Sequence, residues 1–345
     1  MADATRAVLA GIAALVAAAM HTVGAVAQDA PPRLSLPIDC QPGVTCFLQS
    51  HVDAVEGPES GDFRCGSATY DGHKGVDFRV LSIAAAREGV AVIASADGVV
   101  KGGRDGMADE ISSADRRAAI AGRECGNGVV VDHGNGWETQ YCHMRMGSVT
   151  AKPGDKIRRG QKLGLVGYSG LAEFAHVHIS VRHNGAPIDP FTAKASTEAC
   201  LRDTGGGAAG GGSAGMWDEK AAASFPYRNG EIIGAGFAAA PLSTALLEAD
   251  HRVAAPVATS PMLLVYARLM NLRAGDVLRF SATGPGGFAV SETSAPLDRN
   301  KAPYIAFSGK RLKQPRWASG RYEGRVELVR AGAVVQQTAA ALDIP

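Results

Sequence analysis

The chain has 345 residues, 46% of them hydrophobic, and a formal net charge of +1 at pH 7. That length is too great for one ordinary core and about right for two domains. The near-neutral charge gives no reason to expect nucleic acid as a partner, because nucleic-acid binding depends on an excess of basic side chains.

The N-terminus carries a weakly basic flank at Arg6, the apolar run AVLAGIAALVAAAM and the small-residue pattern Ala25-Val26-Ala27. This order is typical of a cleavable secretory signal, expected over residues 1–27. An uncleaved anchor is the alternative, but the strongly apolar core is shorter than the ~20 residues that a membrane span needs. We therefore expect a periplasmic or secreted protein with no stable membrane span after signal cleavage.

Six cysteines all follow the expected cleavage point, and an even number in an exported chain predicts disulfides. Cys40 and Cys46 could close a small local loop, whereas the pairing of the other four stays open. A four-cysteine zinc site is discounted because its CxxC spacing is missing. The cysteines are Cys40, Cys46, Cys65, Cys125, Cys142 and Cys200.

A lead-in segment (28–65) precedes short β-like segments, punctuated by glycine, over residues 66–200. GNGVVVDHGNGWETQYCHM predicts a β-hairpin with a turn through His133-Gly134-Asn135-Gly136, and AKPGDKIRRGQKLGLVG predicts further short strands and turns. Residues 102–125 are too charged and too weakly periodic for a core strand. We expect a long loop there, with room for one helical turn.

A glycine-rich linker is expected at 201–215, where TGGGAAGGGSAG is flexible by composition. Beyond it MLLVYARLM, DVLRFSATG, YIAFSGK and RYEGRVELVRAGAVV predict strands, so we expect a β-sandwich of immunoglobulin-like style over 216–345. Its one histidine, His251, has no evident partner, and no active site is expected there. This domain could position an enzyme, bind a protein partner, cover a groove or serve as a structural appendage.

Histidines are the residues most indicative of chemistry in this chain. Two of them lie two apart in AHVHISVR, where alternation predicts a strand, and both must point to one side of it. The four in or beside predicted strands are His73, His143, His176 and His178; the four expected to be solvated surface residues are His51, His133, His183 and His251.

YDGHKGVDFRV places His73 and Asp77 four apart, with Gly75 in a turn that leads into a strand. Imidazole nitrogen and carboxylate oxygen suit zinc, and one histidine of HVH would complete the three protein ligands of an open catalytic site. The HExxH arrangement that supplies a glutamate base is absent. His143 and the other histidine of HVH are then the candidate acid/base pair for metal-assisted amide hydrolysis.

HKGVD, QYCHM and HVHISVR resemble the three signature blocks of the lysostaphin-type (LytM-like) zinc metallopeptidases, metallopeptidase family twenty-three. Members of that family cut peptide cross-links in bacterial peptidoglycan. The resemblance extends over roughly 70–191 and implies an antiparallel β catalytic domain (duplicated hybrid motif, barrel-sandwich-like), with peptidoglycan peptide stems as substrate. It implies that Zn²⁺ is bound by His73, Asp77 and His178, and that His143 and His176 are catalytic.

Departures from the family pattern concern the walls of the site. The usual SxGxSTGPHLHFE run reads YSGLAEFAHVHIS here, and the 102–125 loop is long, which bears on substrate preference. The main alternative function is an exported zinc-binding regulator of cell-wall hydrolases that has no turnover of its own.

Three other functions fit less well. PGDKIRRGQKLG also resembles the hairpin of lipoyl and biotinyl carrier domains, but a carrier leaves the clustered histidines without a role. A Cys142 thiol nucleophile would point away from His143 on a regular strand. GYSG lacks the second glycine of the GxSxG elbow, because position 171 is Leu.

Overall fold

The computed structural model describes residues 30–196 and 215–345. The expected signal segment, Cys200 and nearly all of the expected linker lie outside these residues. All fourteen strand pairings in the described part of the chain are antiparallel, which confirms the all-β prediction. No helix in either described range is long and apolar enough to cross a membrane.

The first region is built from short strands and two short helices. They are β1 (Cys46–Ser50), β2 (Val76–Val80), α1 (Ile83–Gly89), β3 (Ala91–Ile93), β4 (Gly98–Arg104), α2 (Ala114–Ala119), β5 (Asn127–Gly134), β6 (Trp137–Met144), β7 (Lys156–Ile157), β8 (Lys162–Leu165), β9 (His176–His183), β10 (Ala186–Asp189) and β11 (Lys194–Ala195). One sheet runs in the order β1-β2-β9-β6-β5-β4-β7, with β10 on β9 and β11 on β10. Strands β3 and β8 form a separate pair.

The predicted hairpin is present as β5 and β6. Val129 and Val131 are buried and pair with residues of β6, as the alternating sequence requires. The turn between the strands needs left-handed backbone, and Asn135 (φ 50°) and Gly136 (φ 79°) adopt it most readily. The sequence therefore determined this hairpin through local rules alone.

The 102–125 stretch is the predicted loop with one short helix, α2, although its first three residues still belong to β4. Two aspartates attach it to the rest of the domain. Asp109 accepts backbone N–H groups from Met146 and Tyr168, both at 2.9 Å. Asp105 accepts from Gly147 at 2.8 Å. The loop is thus held against the segment that follows β6.

Two disulfides occur among the described residues. Cys40 bonds to Cys46, as the local-loop prediction expected, and Cys125 bonds to Cys142. The second disulfide joins the end of the long loop to β6. Because Cys142 is oxidised, it is not the thiol nucleophile considered above.

The second region is a sandwich of two antiparallel sheets. Its elements are α3 (Glu219–Ser224), β12 (Glu231–Ala238), α4 (Thr244–Ala249), β13 (Met262–Leu272), β14 (Val277–Gly284), a 3-10 turn (Pro285–Gly287), β15 (Phe288–Thr293), β16 (Lys301–Arg311), β17 (Gly320–Arg330) and β18 (Ala333–Ile344). Sheets β12-β13-β16 and β15-β14-β17-β18 enclose a core that includes Leu263, Phe280 and Val326. The predicted sandwich is confirmed.

The beginning of the second region packs on the first. Met216, Trp217 and Ala221 belong to the same buried cluster as Leu34 and Phe78. Trp217 forms a parallel bridge with Leu34, supported by backbone hydrogen bonds of 2.8 Å on both sides. Residues 30–196 and 215–345 therefore share part of one hydrophobic core.

Candidate metal centre

Strands β2 and β9 form the floor of the candidate site. Their antiparallel register places Asp77 directly opposite His178, and Arg79 opposite His176. Residues two apart on a strand share a face, so all four side chains project from the same side of the sheet. The prediction that the two histidines of HVH lie on one face is confirmed.

His73 precedes β2 in a tight turn and reaches the same point. Its Nε2 lies 3.2 Å from Oδ1 of Asp77 and 3.1 Å from Nδ1 of His178. Nδ1 of His178 lies 2.8 Å from the same carboxylate oxygen. The structure thus brings together the three residues that the sequence proposed as ligands, with the donor atoms facing one another.

The outward nitrogens of these two histidines are bound to oxygen atoms. Nδ1–H of His73 donates to the carbonyl of His51 at 2.6 Å, and Nε2 of His178 is hydrogen-bonded to Oγ of Ser180 at 2.9 Å. Each contact leaves the inner nitrogen, Nε2 of His73 or Nδ1 of His178, facing Asp77. This orientation by a partner of the second nitrogen is usual for metal-binding histidines.

These residues fit a zinc ion. Three electron-pair donors that face one another are stabilised by a cation between them, and two imidazoles with one carboxylate are zinc ligands. The donor atoms are 2.8 to 3.2 Å apart. Ligands placed 2.0–2.1 Å from a tetrahedral zinc would be ~3.3 Å apart, so little movement would be needed.

Gly75 is required by close packing against His178. A Cβ at this position would lie 2.4 Å from Nε2 of His178 and 2.6 Å from the carbonyl oxygen of Ile179. Both distances are far below van der Waals contact. Only glycine lets the turn after His73 approach β9 closely enough to bring the donor atoms together.

His143 and His176 form a second pair beside the three donors. Their ring centroids are 4.6 Å apart, and Nε2 of His176 is 3.6 Å from Oδ1 of Asp77. Nδ1–H of His143 donates to the carbonyl of Ser169 at 2.8 Å, and Nδ1–H of His176 donates to that of Phe174 at 2.9 Å. Both Nε2 atoms are consequently available to accept a proton.

His143 has a left-handed backbone conformation, with φ at 60°. Its N–H donates to the carbonyl of Cys125 at 2.8 Å, and its carbonyl accepts from Gly167 at 3.1 Å. A non-glycine residue in this region is strained and is maintained by its surroundings. The regular alternation of β6 therefore ends here, and Cys142, directly opposite His178, is a neighbour of the site together with His143.

Electrostatics favours a charged carboxylate at Asp77 and neutral imidazoles at His143 and His176. For His73, by contrast, burial acts to lower the pKa, but Asp77 outweighs it and raises the pKa. Burial lowers the pKa of His143 well below its usual value, and repulsion from His176 and His178 lowers it further. Burial also lowers the pKa of His176 against the attraction of Asp77. For Asp77, burial acts to raise the pKa, but His73 and His176 outweigh it and hold the pKa well below its usual value.

Two sequence predictions about histidines were wrong. His51 is buried and not solvated: its ring packs on Phe63, Phe191 and Tyr227, while its carbonyl orients His73. His251 does have a partner, since its Nδ1 is 2.9 Å from Oγ of Ser82. Both contacts join residues distant in sequence, so local polarity could not reveal them.

Other residues of the site were missed by sequence reasoning. Ser180 could have been found, because it follows His178 by two residues on the same face of β9. Tyr70 stacks on His73 with 4.4 Å between ring centroids and is about half exposed, at the rim. Phe174 contacts His176 in a tilted arrangement at the same centroid distance. Neither aromatic residue lies in a predicted strand, so periodicity gave no signal for them.

Two imidazoles and one carboxylate are a ligand set found in catalytic zinc sites. Residues 71–190 match the family model described as Peptidase family M23. The match confirms the resemblance to this family that the sequence shows over that part of the chain.

Curated relatives match part of the chain. DD-carboxypeptidase/endopeptidase Mpg of Neisseria meningitidis serogroup B is 33% identical over 122 residues, which are 35% of this chain and 22% of that protein. Peptidoglycan DD-endopeptidase ShyA of Vibrio cholerae is 37% identical over 68 residues, 20% of this chain and 15% of that protein. The chain spans about a fifth of the length of these relatives.

Among solved structures, the catalytic domain of lysostaphin from Staphylococcus simulans is 23% identical, covers 34% of this chain and 75% of its own, and gives a TM-score of 0.25. A zinc-containing peptidase from Vibrio cholerae is 25% identical, covers 44% of this chain and 40% of its own, and gives a TM-score of 0.27.

Proposed function

We propose that the chain is an exported zinc endopeptidase that hydrolyses peptide cross-links of bacterial peptidoglycan. The observation that carries the proposal is the convergence of five side chains from three neighbouring strands and one turn. They form a donor set suited to zinc next to a pair of neutral histidines. Named relatives that match part of the chain are a DD-carboxypeptidase/endopeptidase and a peptidoglycan DD-endopeptidase.

The proposed metal ligands are His73, Asp77 and His178, held in place by the contacts described above. The chemistry that Zn²⁺ supplies at such a site is a water ligand with a pKa near 7 and polarisation of the scissile carbonyl. The carbonyl of His51 and the hydroxyl of Ser180 would keep the two imidazoles oriented for binding.

His143 and His176 are the proposed catalytic residues. Each has its Nδ1 engaged with a carbonyl, so each can exchange a proton only at Nε2, which faces the site. One of them takes the proton from the attacking water at Nε2, and a ring that carries a proton at Nε2 can donate it to the oxyanion and then to the departing amine. Their lowered pKa values keep both neutral and ready to accept a proton at pH 7.

The proposal includes the organisation of the whole chain. We assign residues 1–27 to a signal peptide, 28–65 to the lead-in segment, 66–200 to the peptidase domain, 201–215 to the linker and 216–345 to the accessory sandwich. Disulfides among the described residues support a periplasmic or secreted location, where they persist. A protein partner for the sandwich stays a prediction.

The experiment is digestion of isolated peptidoglycan by the purified protein, with fragments analysed by mass. We expect fragments that correspond to cleavage between D-alanine and diaminopimelate, and their loss with a chelator or in His143→Ala. His183→Ala is the matched control, because this histidine lies at the far end of β9, where its ring stacks on Trp137. The control should retain activity.

Two results would contradict the proposal: no fragments from the zinc-loaded wild type, or equal release by His143→Ala. The first would favour the regulator without turnover. That alternative is not favoured now, because all five residues of the peptidase pattern are present and the named relatives are a DD-carboxypeptidase/endopeptidase and a DD-endopeptidase.

A further inference from the structure

A buried ionic cluster connects the accessory sandwich to strand β2. Nη2 of Arg79 lies 2.6 Å from Oε2 of Glu248, and Nη2 of Arg268 lies 2.7 Å from Oε1 of the same carboxylate. Arg79 is 1% exposed, and Arg268 is nearly as deeply buried. Glu248 is in α4 and Arg268 is in β13, so two elements of the second region hold one arginine of the first.

A hydrogen bond to Gln49 also holds the Arg79 side chain. Its Nη1 donates to Oε1 of Gln49 at 2.9 Å. Asn271, in β13, in turn fixes Gln49 by donating to its carbonyl at 2.6 Å and accepting from its amide at 3.3 Å. The guanidinium therefore has no freedom to rotate while these partners are in place.

Glu248 is the only anion that the described residues place against either arginine. Burial acts to raise its pKa, but Arg79 and Arg268 outweigh this and lower the pKa, so the carboxylate is charged. Removal of one member of a buried ion pair leaves an uncompensated charge, which is costly. Without Glu248, Arg79 and Arg268 would repel each other across the space that it now fills.

Arg79 is connected to His176 through Phe174. Its Cζ is 4.9 Å from the ring centroid of Phe174, a cation–π contact. The ring of Phe174 contacts that of His176 at a tilt of 32°, with 4.4 Å between centroids, and the backbone carbonyl of Phe174 accepts Nδ1–H of His176. Arg79 is also the cross-strand partner of His176. A continuous series of contacts thus runs from Glu248 to a proposed catalytic imidazole.

We infer that Glu248 is a positioning residue, through which the accessory sandwich holds Arg79 on Phe174 and so fixes the orientation of His176. The kinetic part of this inference rests on the proposed function. Its structural part, the orientation of the His176 ring, does not. The accessory sandwich is accordingly part of the catalytic apparatus and not only an attached domain.

The test compares zinc-loaded full-length wild type with Glu248→Gln and with Phe174→Leu. Phe174→Leu keeps the backbone carbonyl and much of the apolar volume but removes the aromatic ring that contacts Arg79 and His176. Position 174 is in a partly exposed loop, so we expect this substitution to leave folding intact. Three quantities are measured: bound zinc, kcat and KM on a soluble cross-linked muropeptide, and solvent exchange of Nδ1–H of His176 by ¹⁵N-histidine NMR.

We expect both variants to retain zinc and to lose about 10- to 100-fold in kcat, the usual cost of a misplaced catalytic group. KM should stay within about twofold, because substrate binding is not altered. Exchange of the His176 proton should accelerate in both. This last readout reports on orientation even if the wild type cleaves no peptidoglycan, so failure of the proposed function and failure of the inference are distinguishable.

Asp276→Asn is the matched control, since it removes another buried charge pair of the sandwich. Asp276 is fully buried and binds Arg330 through two contacts of 2.8 Å, with no contact to Arg79 among the interactions of the described residues. It should lower the melting temperature and leave kcat and proton exchange unchanged. If Asp276→Asn lost as much kcat as Glu248→Gln, Glu248 would have only a general stabilising role. If exchange of the His176 Nδ1 proton were unchanged in Glu248→Gln and Phe174→Leu, the inference would be overturned.

Discussion

Substitution of Gly75 by alanine should disrupt zinc binding without altering any ligand residue. The added Cβ would lie 2.4 Å from Nε2 of His178, whereas contact requires about 3.4 Å. The imidazole would have to move by about 1 Å, because the other atom in the way, the carbonyl oxygen of Ile179, belongs to the paired backbone of β9. That movement also breaks the hydrogen bond to Ser180.

The size of the effect follows from the tolerance of metal sites. Zinc–ligand distances are acceptable within about 0.2 Å, so a displacement of about 1 Å removes His178 from the donor set. Loss of an outer hydrogen-bond partner alone weakens metal binding by about 10- to 100-fold. We therefore expect Gly75→Ala to weaken zinc binding by at least about 100-fold and to lower the free energy of unfolding by about 1–3 kcal/mol through overpacking.

Competition with a chromophoric zinc chelator measures the affinity, and thermal unfolding of the metal-free protein measures the packing cost separately. Gly102→Ala is the control, because a Cβ there meets no atom within 4 Å. If Gly75→Ala bound zinc as tightly as the wild type, neither the close approach of the turn to β9 nor the assignment of His178 as a ligand could be maintained.

Three further predictions concern the site and its support. His178→Ala should lose zinc, whereas His176→Ala should keep zinc and lose turnover; metal analysis of the two proteins checks this, and a zinc-free His176→Ala would contradict it. Burial and repulsion from Asp62 raise the pKa of Asp189 from 3.8 to about 7. An acid with a raised pKa binds its proton better in the folded state, so stability falls as pH rises from about 4 to 7, by at most about 4 kcal/mol. Asp189→Asn should abolish that part of the pH dependence. If the melting temperatures of both proteins changed with pH in the same way, the prediction would be refuted. Joint replacement of Cys125 and Cys142 by serine should cost about 3 kcal/mol, since the disulfide closes a loop of 17 residues; unchanged denaturant midpoints would argue against this.

Local rules explain how much of the fold was predictable. Alternating apolar residues and turn residues identified the hairpin, the HVH strand and the strands of the sandwich, because strand periodicity and turn conformation depend on near neighbours. The candidate ligands were predictable for the same reason: His73 and Asp77 are close in sequence, and HVH fixes two side chains on one face. The roles of these residues stay predictions until they are tested.

Contacts between distant segments were not predictable. Arg79 and Glu248 are 169 residues apart, and no periodicity connects them. His51 was assigned to the surface because its neighbours in sequence are polar, but three aromatic rings from distant segments cover it. The left-handed φ of His143 likewise depends on hydrogen bonds to Cys125 and Gly167, which come from two other segments.

Residues 216–221 pack in the hydrophobic core of the first region, so the peptidase region cannot be separated from them without exposing that core. Trp217 is 5% exposed and contacts Phe78 at 5.8 Å between ring centroids, one residue from Asp77. A shortened protein that stops before Met216 would expose this apolar surface beside a proposed metal ligand. A single proteolytic cut before Gly215, by contrast, would leave the two pieces associated. Grafting the peptidase region onto another protein would therefore need Met216–Ala221 to be carried along.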